Sequence, residues 1–261
     1  MLATVFAAAM LVAACGGGER HTIYAASSLT EVLPALIEAY HDAGGRGDFD
    51  VSFAGSQTLA AQIIEGAPAE LFIAANEETA ARVVEAGHRV REAPLWRNRL
   101  VVAVRTDSSL ATLEALAAPG VRIAVGAPDV PVGALTSRVL NLLAEADPAT
   151  VEAIRANVVT EDTNVRVALS RVELGEADAA FVYATDVETA SNVRAIALPP
   201  GMPATHYVAV LLSKASPQTE ALFEFLRSDG ASIAHDAGFE PLPPAEPGAV
   251  PAATSTPTPT P

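Results

Sequence analysis

Two serine residues stand where a short apolar segment gives way to a predicted helix, and each could bind an anion. Ser28 follows the apolar segment 22–25, and Ser56 follows the segment 51–53. A helix that begins at such a junction adds unpaired backbone N–H groups and a partial positive charge to the serine hydroxyl. These donors suit negatively charged oxygens. Two such junctions facing each other would hold a tetrahedral anion without lysine or arginine.

Each of these side chains also has a purely structural interpretation. Ser28 and Glu31 fit a capping box, and Ser56 is placed to cap the next helix. A serine cap typically contributes about 1 kcal/mol to helix stability. Tyr183 ends another apolar segment, where it is either a core aromatic or a phenol donor directed into the same cleft. The residues taken singly leave these alternatives open.

The elements that must position these residues alternate between apolar strands and amphipathic helices, which predicts an α/β architecture with mostly parallel sheets. Ligands of such folds lie beyond the carboxyl ends of the strands, where the helices begin. The strands are predicted at 22–25, 51–53, 71–74, 100–104, 121–125, 179–183 and 207–212, and the helices follow Ser28 and Ser56 and cover 77–86, 134–143, 164–174 and 219–226.

The composition excludes several functional classes. Lys plus Arg total 16 against 31 Asp plus Glu, a net charge of −15, which disfavours binding to nucleic acid or anionic lipid. Cys15 is the single cysteine, so no disulfide framework or multi-cysteine metal site is expected. None of the five histidines is spaced like a metal motif.

The sequence contains neither a nucleophile elbow nor a Walker A motif, so the chain is not expected to be an enzyme. The residues around Ser56 break the G-x-S-x-G pattern of a nucleophile elbow at both ends, and no Walker A sequence occurs. An extracytoplasmic hydrolase that uses Ser28 or Ser56 as its nucleophile remains an alternative, although the sequence places no histidine beside either serine.

The two ends of the chain are predicted to lie outside the fold. Residues 2–14 are apolar but shorter than the roughly 20 residues of a membrane span. With Cys15 and the glycines after it, they resemble a bacterial lipobox. This predicts a signal peptide at 1–14, lipidation of Cys15 and a flexible tether at 15–21. The Pro/Thr-rich segment 241–261 is predicted to be a disordered tail.

Eight sequence blocks together resemble the periplasmic molybdate-binding proteins of ABC transporters. They occur in order and cover nearly all of residues 22–239, so the set is far more specific than any one block. The blocks are YAASSLT (24–30), SFAGSQTLAAQI (52–63), GAPAELFIAA (66–75), NRLVV (98–102), VGAPDVPVG (125–133), NVRVAL (164–169), VYATD (182–186) and AGF (237–239).

The resemblance implies a two-lobed clamshell, in which each lobe is a mostly parallel sheet flanked by helices and the chain crosses between lobes twice. The crossings then fall near 100–103 and 207–209. Lobe I would comprise residues 22–102 and 209–240, and lobe II residues 103–208.

The resemblance also implies which groups hold the oxyanion. The hydroxyls of Ser28, Ser56 and Tyr183 and the backbone N–H groups of Val132 and Val165 occupy the family's ligand positions. The sequence departs from the family at Val132, which is alanine in familiar members, and at Ser27, which is alanine in many relatives. A main-chain donor tolerates the first change, although the larger side chain could alter the pocket, and Ser27 could offer an alternative hydroxyl.

A cage made only of neutral donors should select a fully deprotonated anion. Hydrogen phosphate would bring a proton that finds no acceptor, and burying it unpaired weakens binding. Sulfate is fully deprotonated, so only its smaller size can disfavour it. Molybdate and tungstate are close in size and charge, and the sequence does not separate them.

The resemblance therefore implies an extracytoplasmic lipoprotein that captures molybdate or tungstate and delivers it to an ABC permease with its cytoplasmic ATPase. It implies a monomer that needs no cofactor and no metal other than the bound oxyanion. Two other binding functions remain as alternatives. One is a protein for sulfate or a small organic anion, since fold does not fix ligand. The other is a signalling module whose closed form docks on a sensor.

Overall fold

The structure, a computed structural model, describes residues 19–243. The predicted signal peptide, Cys15 and nearly all of the predicted tail lie outside the described residues. No helix within 19–243 combines the length and the apolar character needed to cross a membrane. The strands are β1 (Arg20–Ala26), β2 (Asp48–Ala54), β3 (Leu71–Ala74), β4 (Arg89–Arg105), β5 (Ile123–Gly126), β6 (Val158–Asp162), β7 (Ala179–Tyr183), β8 (Val193–Ala197) and β9 (Ala204–Leu212).

The helices lie between these strands and at the end of the described region. A 3₁₀ turn at Ser27–Leu29 precedes the first helix, and another covers Glu114–Ala117. The α-helices are α1 (Val32–Asp42), α2 (Ser56–Ile64), α3 (Glu77–Glu85), α4 (Pro131–Ala144), α5 (Pro148–Ala156), α6 (Val165–Glu173), α7 (Ala184–Thr189), α8 (Pro217–Arg227) and α9 (Gly230–Asp236).

The strands pair in the order β2-β1-β3-β9-β4-β7-β5-β6, and β8 pairs with β4. The pairings of β1 with β2 and β3, and of β5 with β6 and β7, are parallel. Every antiparallel pairing of the described strands includes β4 or β9. With helices between the strands, this architecture confirms the predicted α/β fold.

The long strand β4 belongs to two sheets. Its first part, up to Arg99, pairs with β9, and its second part, from Leu100, pairs with β7 and β8. We call β2, β1, β3, β9 and the first part of β4 the first sheet, and the remaining strands the second sheet. The chain returns to the first sheet between β8 and β9.

Buried apolar strands form the centre of each sheet. All residues of β3 in the first sheet and of β7 and β5 in the second are buried. Continuous apolar strands are typical of parallel sheets that helices cover on both faces. The carboxyl ends of β1, β2 and β3 and those of β5, β6 and β7 lead into the residues around one small cavity.

Candidate functional site

A small cavity lies between the two sheets, where the carboxyl ends of their strands face each other. Its volume of about 10 Å³ is far below the roughly 300–1,000 Å³ of pockets that take drug-sized ligands, which favours a small ion. None of its lining residues carries a charged side chain, and the five predicted ligand residues are all among them. The lining residues are Ala26, Ser27, Ser28, Gly55, Ser56, Ala75, Val130, Pro131, Val132, Asn164, Val165 and Tyr183.

Ser28 lines the cavity but does not cap a helix. It lies in the 3₁₀ turn Ser27–Leu29, and α1 begins only at Val32, with Glu31 as its N-cap residue and no side-chain cap. The predicted capping box is therefore wrong. The Ser28 hydroxyl instead forms a 2.6 Å hydrogen bond with the hydroxyl of Tyr207, and this partner lies far away in the sequence.

Ser56 is the first residue of α2, and Gly55 occupies the N-cap position. The prediction that Ser56 caps this helix is therefore wrong. Its Oγ accepts a 3.1 Å hydrogen bond from the backbone N–H of Ala75, just after β3. Because this bond uses a lone pair of the oxygen, the hydroxyl proton of Ser56 stays available to a ligand.

Val132 and Val165 lie in the first turns of two helices that point at the cavity. Val132 is the second residue of α4 and Val165 is the first of α6. The first N–H groups of an α-helix have no partner inside the helix, so these groups are free to meet an anion. The Asn164 side chain caps α6 by accepting from the N–H of Val167 at 3.1 Å, which leaves the Val165 N–H to the cavity.

The larger side chain at Val132 is accommodated by a glycine. A Cβ added at Gly126 would lie 2.6 Å from Cγ1 of Val132. The Val132 side chain therefore occupies the space where any other residue at position 126 would place its Cβ. Thr136 also donates a 2.7 Å hydrogen bond to the carbonyl of Val132. The sequence departure at this position thus leaves the first turn of α4 intact.

Tyr183 ends β7 and is only 1% exposed, and its hydroxyl has no hydrogen-bond partner among residues 19–243. Leaving a buried hydroxyl unpaired costs roughly 1–3 kcal/mol, so this oxygen is poised for a partner that a ligand would supply. Burial, with smaller effects of Tyr207 and Asp186, raises the pKa of the Tyr183 phenol well above its usual value, against a weaker opposing effect of Thr205. The phenol therefore keeps its proton and serves as a donor.

Two buried polar residues behind the cavity were missed by sequence reasoning. Asp186 is 2% exposed, and its Oδ2 accepts a 3.1 Å hydrogen bond from the N–H of Tyr183. Burial raises the pKa of this carboxyl to about 7. The spacing of Tyr183 and Asp186 matches that of a capping box and could have revealed Asp186. No local signal points to Tyr207, which comes from β9.

Contacts across the cleft connect the elements of the two sheets. The Gln57 side chain on α2 donates a 2.9 Å hydrogen bond to the carbonyl of Thr163. Arg166 on α6 forms an ion pair of 3.2 Å with Glu31. These contacts lie beside the cavity, and because they join the two sides of the cleft, the cleft is closed.

The arrangement can bind an anion but lacks the groups for hydrolysis. Neither histidine nor a carboxylate lines the cavity, so Ser28 and Ser56 have no general base there. Within residues 19–243, no group of histidine, cysteine and carboxylate side chains could hold a metal ion. What remains is a set of neutral hydroxyl and backbone donors directed at one point.

The chain is similar to known molybdate-binding proteins in sequence and in structure. The molybdate-binding protein ModA of Escherichia coli strain K12 is 30% identical over 225 residues, which cover 81% of this chain and 84% of the relative. The periplasmic molybdate-binding protein of Azotobacter vinelandii has a similar structure, with a TM-score of 0.71 and 23% identity over 86% of this chain and 100% of its own.

The same fold occurs in the sulfate-binding protein SubI from Mycobacterium tuberculosis H37Rv, with a TM-score of 0.76 and 17% identity over 87% of this chain and 88% of that one.

The family model for bacterial extracellular solute-binding proteins matches residues 21–240. Such proteins bind solutes and are not enzymes, as the sequence predicted. Because the match spans almost the whole described region, the chain belongs to the bacterial extracellular solute-binding protein family.

Proposed function

We propose that this protein captures molybdate or tungstate between its two lobes and delivers the ion to an ABC permease with its cytoplasmic ATPase. The observation that carries the proposal is the small cavity between the sheets, in which donors from five strand ends converge and no charged side chain takes part. The resemblance to molybdate-binding relatives supports the same ligand class.

Five donors form the proposed binding site. They are the hydroxyls of Ser28, Ser56 and Tyr183 and the backbone N–H groups of Val132 and Val165. Neutral donors match a fully deprotonated dianion, since each anion oxygen only accepts hydrogen bonds. The overall charge of −15 slows capture of an anion, and added salt relieves that repulsion.

The selectivity of the site follows from this donor set. Hydrogen phosphate carries a proton, and the cavity offers it no carboxylate or imidazole acceptor. Sulfate presents acceptors only, so the protein would have to exclude it by size, because a smaller ion cannot reach every donor at once. Sulfate is therefore the competitor that a binding test must include.

The proposal extends to the organisation of the chain. We place lobe I at residues 20–99 and 204–240 and lobe II at residues 100–203, so that each part of β4 and all of β9 stay with the sheet in which they pair. These bounds lie within five residues of those that the sequence predicts. The protein acts as a monomer. Residues 1–14 are a signal peptide, Cys15 carries the lipid, and residues 241–261 are a tail. The tether is residues 15–19, shorter than the predicted 15–21 because Arg20 and His21 belong to β1. The protein then works outside the cytoplasm, held at the membrane by its lipid.

Calorimetric titration of the purified protein with molybdate, tungstate, sulfate and phosphate tests the proposed ligand. We expect tight binding of the first two ions and weak binding of the others. Tight binding of sulfate with weak binding of molybdate would make the protein a sulfate carrier. No binding of any oxyanion would remove the proposal and direct the search to organic anions.

A further inference from the structure

Tyr207 lies directly behind the proposed binding site without lining the cavity. Its side chain is fully buried, and its hydroxyl lies 2.6 Å from Oγ of Ser28. The Tyr207 ring packs edge-on against the rings of Phe239 at 5.3 Å and Tyr183 at 6.2 Å. These contacts hold the phenol in one position beneath the serine.

The direction of the hydrogen bond between the Tyr207 and Ser28 hydroxyls depends on where each hydroxyl proton points. Burial, with a smaller effect of Asp186, raises the pKa of the Tyr207 phenol against the opposing effects of the Ser28 hydroxyl and the Asn98 amide, so the phenol keeps its proton. Among the described residues, the Tyr207 hydroxyl lies at hydrogen-bonding distance and angle from Ser28. An oxyanion in the cavity can only accept, so Ser28 must direct its single proton at the anion. The short bond between the two residues is then a donation from Tyr207 to Ser28.

We propose that Tyr207 is a positioning residue that fixes Ser28 as a hydrogen-bond donor and so makes the site selective for fully deprotonated anions. The inference rests on the proposed function, since it assumes that an oxyanion occupies the cavity. It adds a residue outside the cavity to the determinants of selectivity.

The consequence for the ligand follows from the direction of this hydrogen bond. While Tyr207 donates, one of the two lone pairs of Ser28 is occupied and the Ser28 proton points at the anion. The serine therefore meets the proton of hydrogen phosphate with a proton of its own, unless it rotates and breaks the buried hydrogen bond. Without the phenol, Ser28 can rotate and accept as well as donate. Loss of the Tyr207 hydroxyl should therefore narrow the gap between molybdate and hydrogen phosphate.

The test compares Tyr207→Phe with Tyr40→Phe in the full-length protein. The Tyr40 hydroxyl donates to the carbonyl of Arg46 at 3.3 Å, and Tyr40 does not line the cavity, so this variant is a matched control. Both variants keep the aromatic ring, and melting temperatures verify that they fold. Titrations with molybdate, sulfate and phosphate at pH 8, where phosphate is mostly the monohydrogen dianion, supply the affinities.

We expect Tyr207→Phe to weaken molybdate and sulfate about 2- to 10-fold, the effect of one neutral hydrogen bond, and hydrogen phosphate less or not at all. The ratio of molybdate to phosphate affinity should fall, whereas Tyr40→Phe should leave that ratio unchanged. An equal loss for all three ions would indicate a structural role and overturn the inference. So would a Tyr207→Phe variant that binds like the wild type.

A double-mutant cycle with Ser28→Ala provides a second measurement. If Tyr207 acts through Ser28, adding Tyr207→Phe to Ser28→Ala should not weaken molybdate binding further. A full additional loss in the double variant would contradict the inference. A wild-type protein that binds neither molybdate nor tungstate would instead overturn the proposed function. The failure of the proposed function is thus seen with the wild-type protein alone, whereas the failure of the Tyr207 inference is seen only with the variants.

Discussion

Gly55 lies against the carbonyl oxygen of Thr163 across the cleft, so closely that a Cβ added at Gly55 would come within 2.5 Å of that oxygen. The same carbonyl accepts the side-chain hydrogen bond from Gln57. Gly55 precedes α2 and follows β2, while Thr163 comes from the second sheet's side of the cavity. The closed cleft therefore depends on a residue without a side chain at position 55.

Gly55→Ala should prevent full closure and weaken oxyanion binding. The added methyl group meets the backbone carbonyl of Thr163 as well as the side-chain amide of Gln57. Overpacking of this kind costs about 1–3 kcal/mol, which corresponds to a loss of affinity of roughly 5- to 150-fold. Calorimetric titration with molybdate measures the loss.

Gly66→Ala is the control for Gly55→Ala. Gly66 follows the same helix with φ of +100°, and an added Cβ there meets open space. Its substitution should lower the melting temperature through backbone strain but leave the affinity unchanged. Equal affinities for the two glycine variants would contradict the proposed closure.

Ser56→Ala should weaken oxyanion binding and leave the fold intact. A lost hydrogen bond to a charged group costs about 1.5–3 kcal/mol, and the Ser56 proton is free for the ligand because the oxygen already accepts from Ala75. Ser52→Ala, an exposed position on the preceding strand β2, is the matched control and should bind normally. If Ser28→Ala combined with Ser56→Ala binds like the wild type, the assigned binding site is wrong.

Tyr183→Phe should stabilise the ligand-free protein while weakening oxyanion binding. The hydroxyl is buried and unpaired among the described residues, and its removal relieves a penalty of roughly 1 kcal/mol or more. Thermal unfolding without ligand and titration with molybdate measure the two effects.

Tyr40→Phe is the contrasting variant, because it removes a hydroxyl that is hydrogen-bonded to Arg46. We expect it to lower stability slightly and to leave affinity alone. A Tyr183→Phe variant that loses stability and keeps its affinity would place the Tyr183 hydroxyl outside the binding site.

Asp186 should make stability fall as the pH rises from about 4 to about 7. Burial raises its pKa in the folded protein to about 7, whereas the unfolded value is about 3.9. In this window the folded state binds a proton that the unfolded state has lost, so the contribution is complete below pH 4 and disappears as the pH passes 7. The charges that act on this carboxyl include Arg166, which lowers its pKa.

Asp186→Asn keeps a hydrogen-bond acceptor for the Tyr183 N–H and removes the titration. Its stability relative to the wild type should increase between pH 4 and pH 8, by a few kcal/mol at most, since each pKa unit is worth about 1.4 kcal/mol. Chemical unfolding of both proteins across this range measures the difference. A difference that does not change with pH would show that Asp186 titrates normally in the folded state.

The strands that sequence reasoning located best are those buried on both faces. The segments 71–74 and 179–183 coincide with β3 and β7, because a continuous apolar run leaves little choice of structure. The first part of β4 was missed. Residues 89–99 are largely polar, include Pro94 and become a strand only through pairing with β9.

In the candidate site, too, some features follow from local sequence patterns and others only from tertiary packing. The strand–helix junctions that bring Ser28 and Ser56 to the cavity follow from local patterns, but the partners of these serines do not. Tyr207 and the N–H of Ala75 reach the two hydroxyls through tertiary packing, which no local spacing reveals. The capping predictions were wrong for this reason, since a buried long-range partner competes with the helix end for each serine.

Five neutral donors hold the oxyanion in the proposed site, and a crystal structure of the tungstate complex tests this most directly because the anomalous signal of tungsten locates the ion. We expect a single ion between the sheets, with Oγ of Ser28 and Ser56, the phenol of Tyr183 and the N–H groups of Val132 and Val165 within about 3.2 Å of its oxygens. A tungstate ion bound elsewhere, or one in the cavity that leaves these donors unpaired, would show that these groups do not form the site.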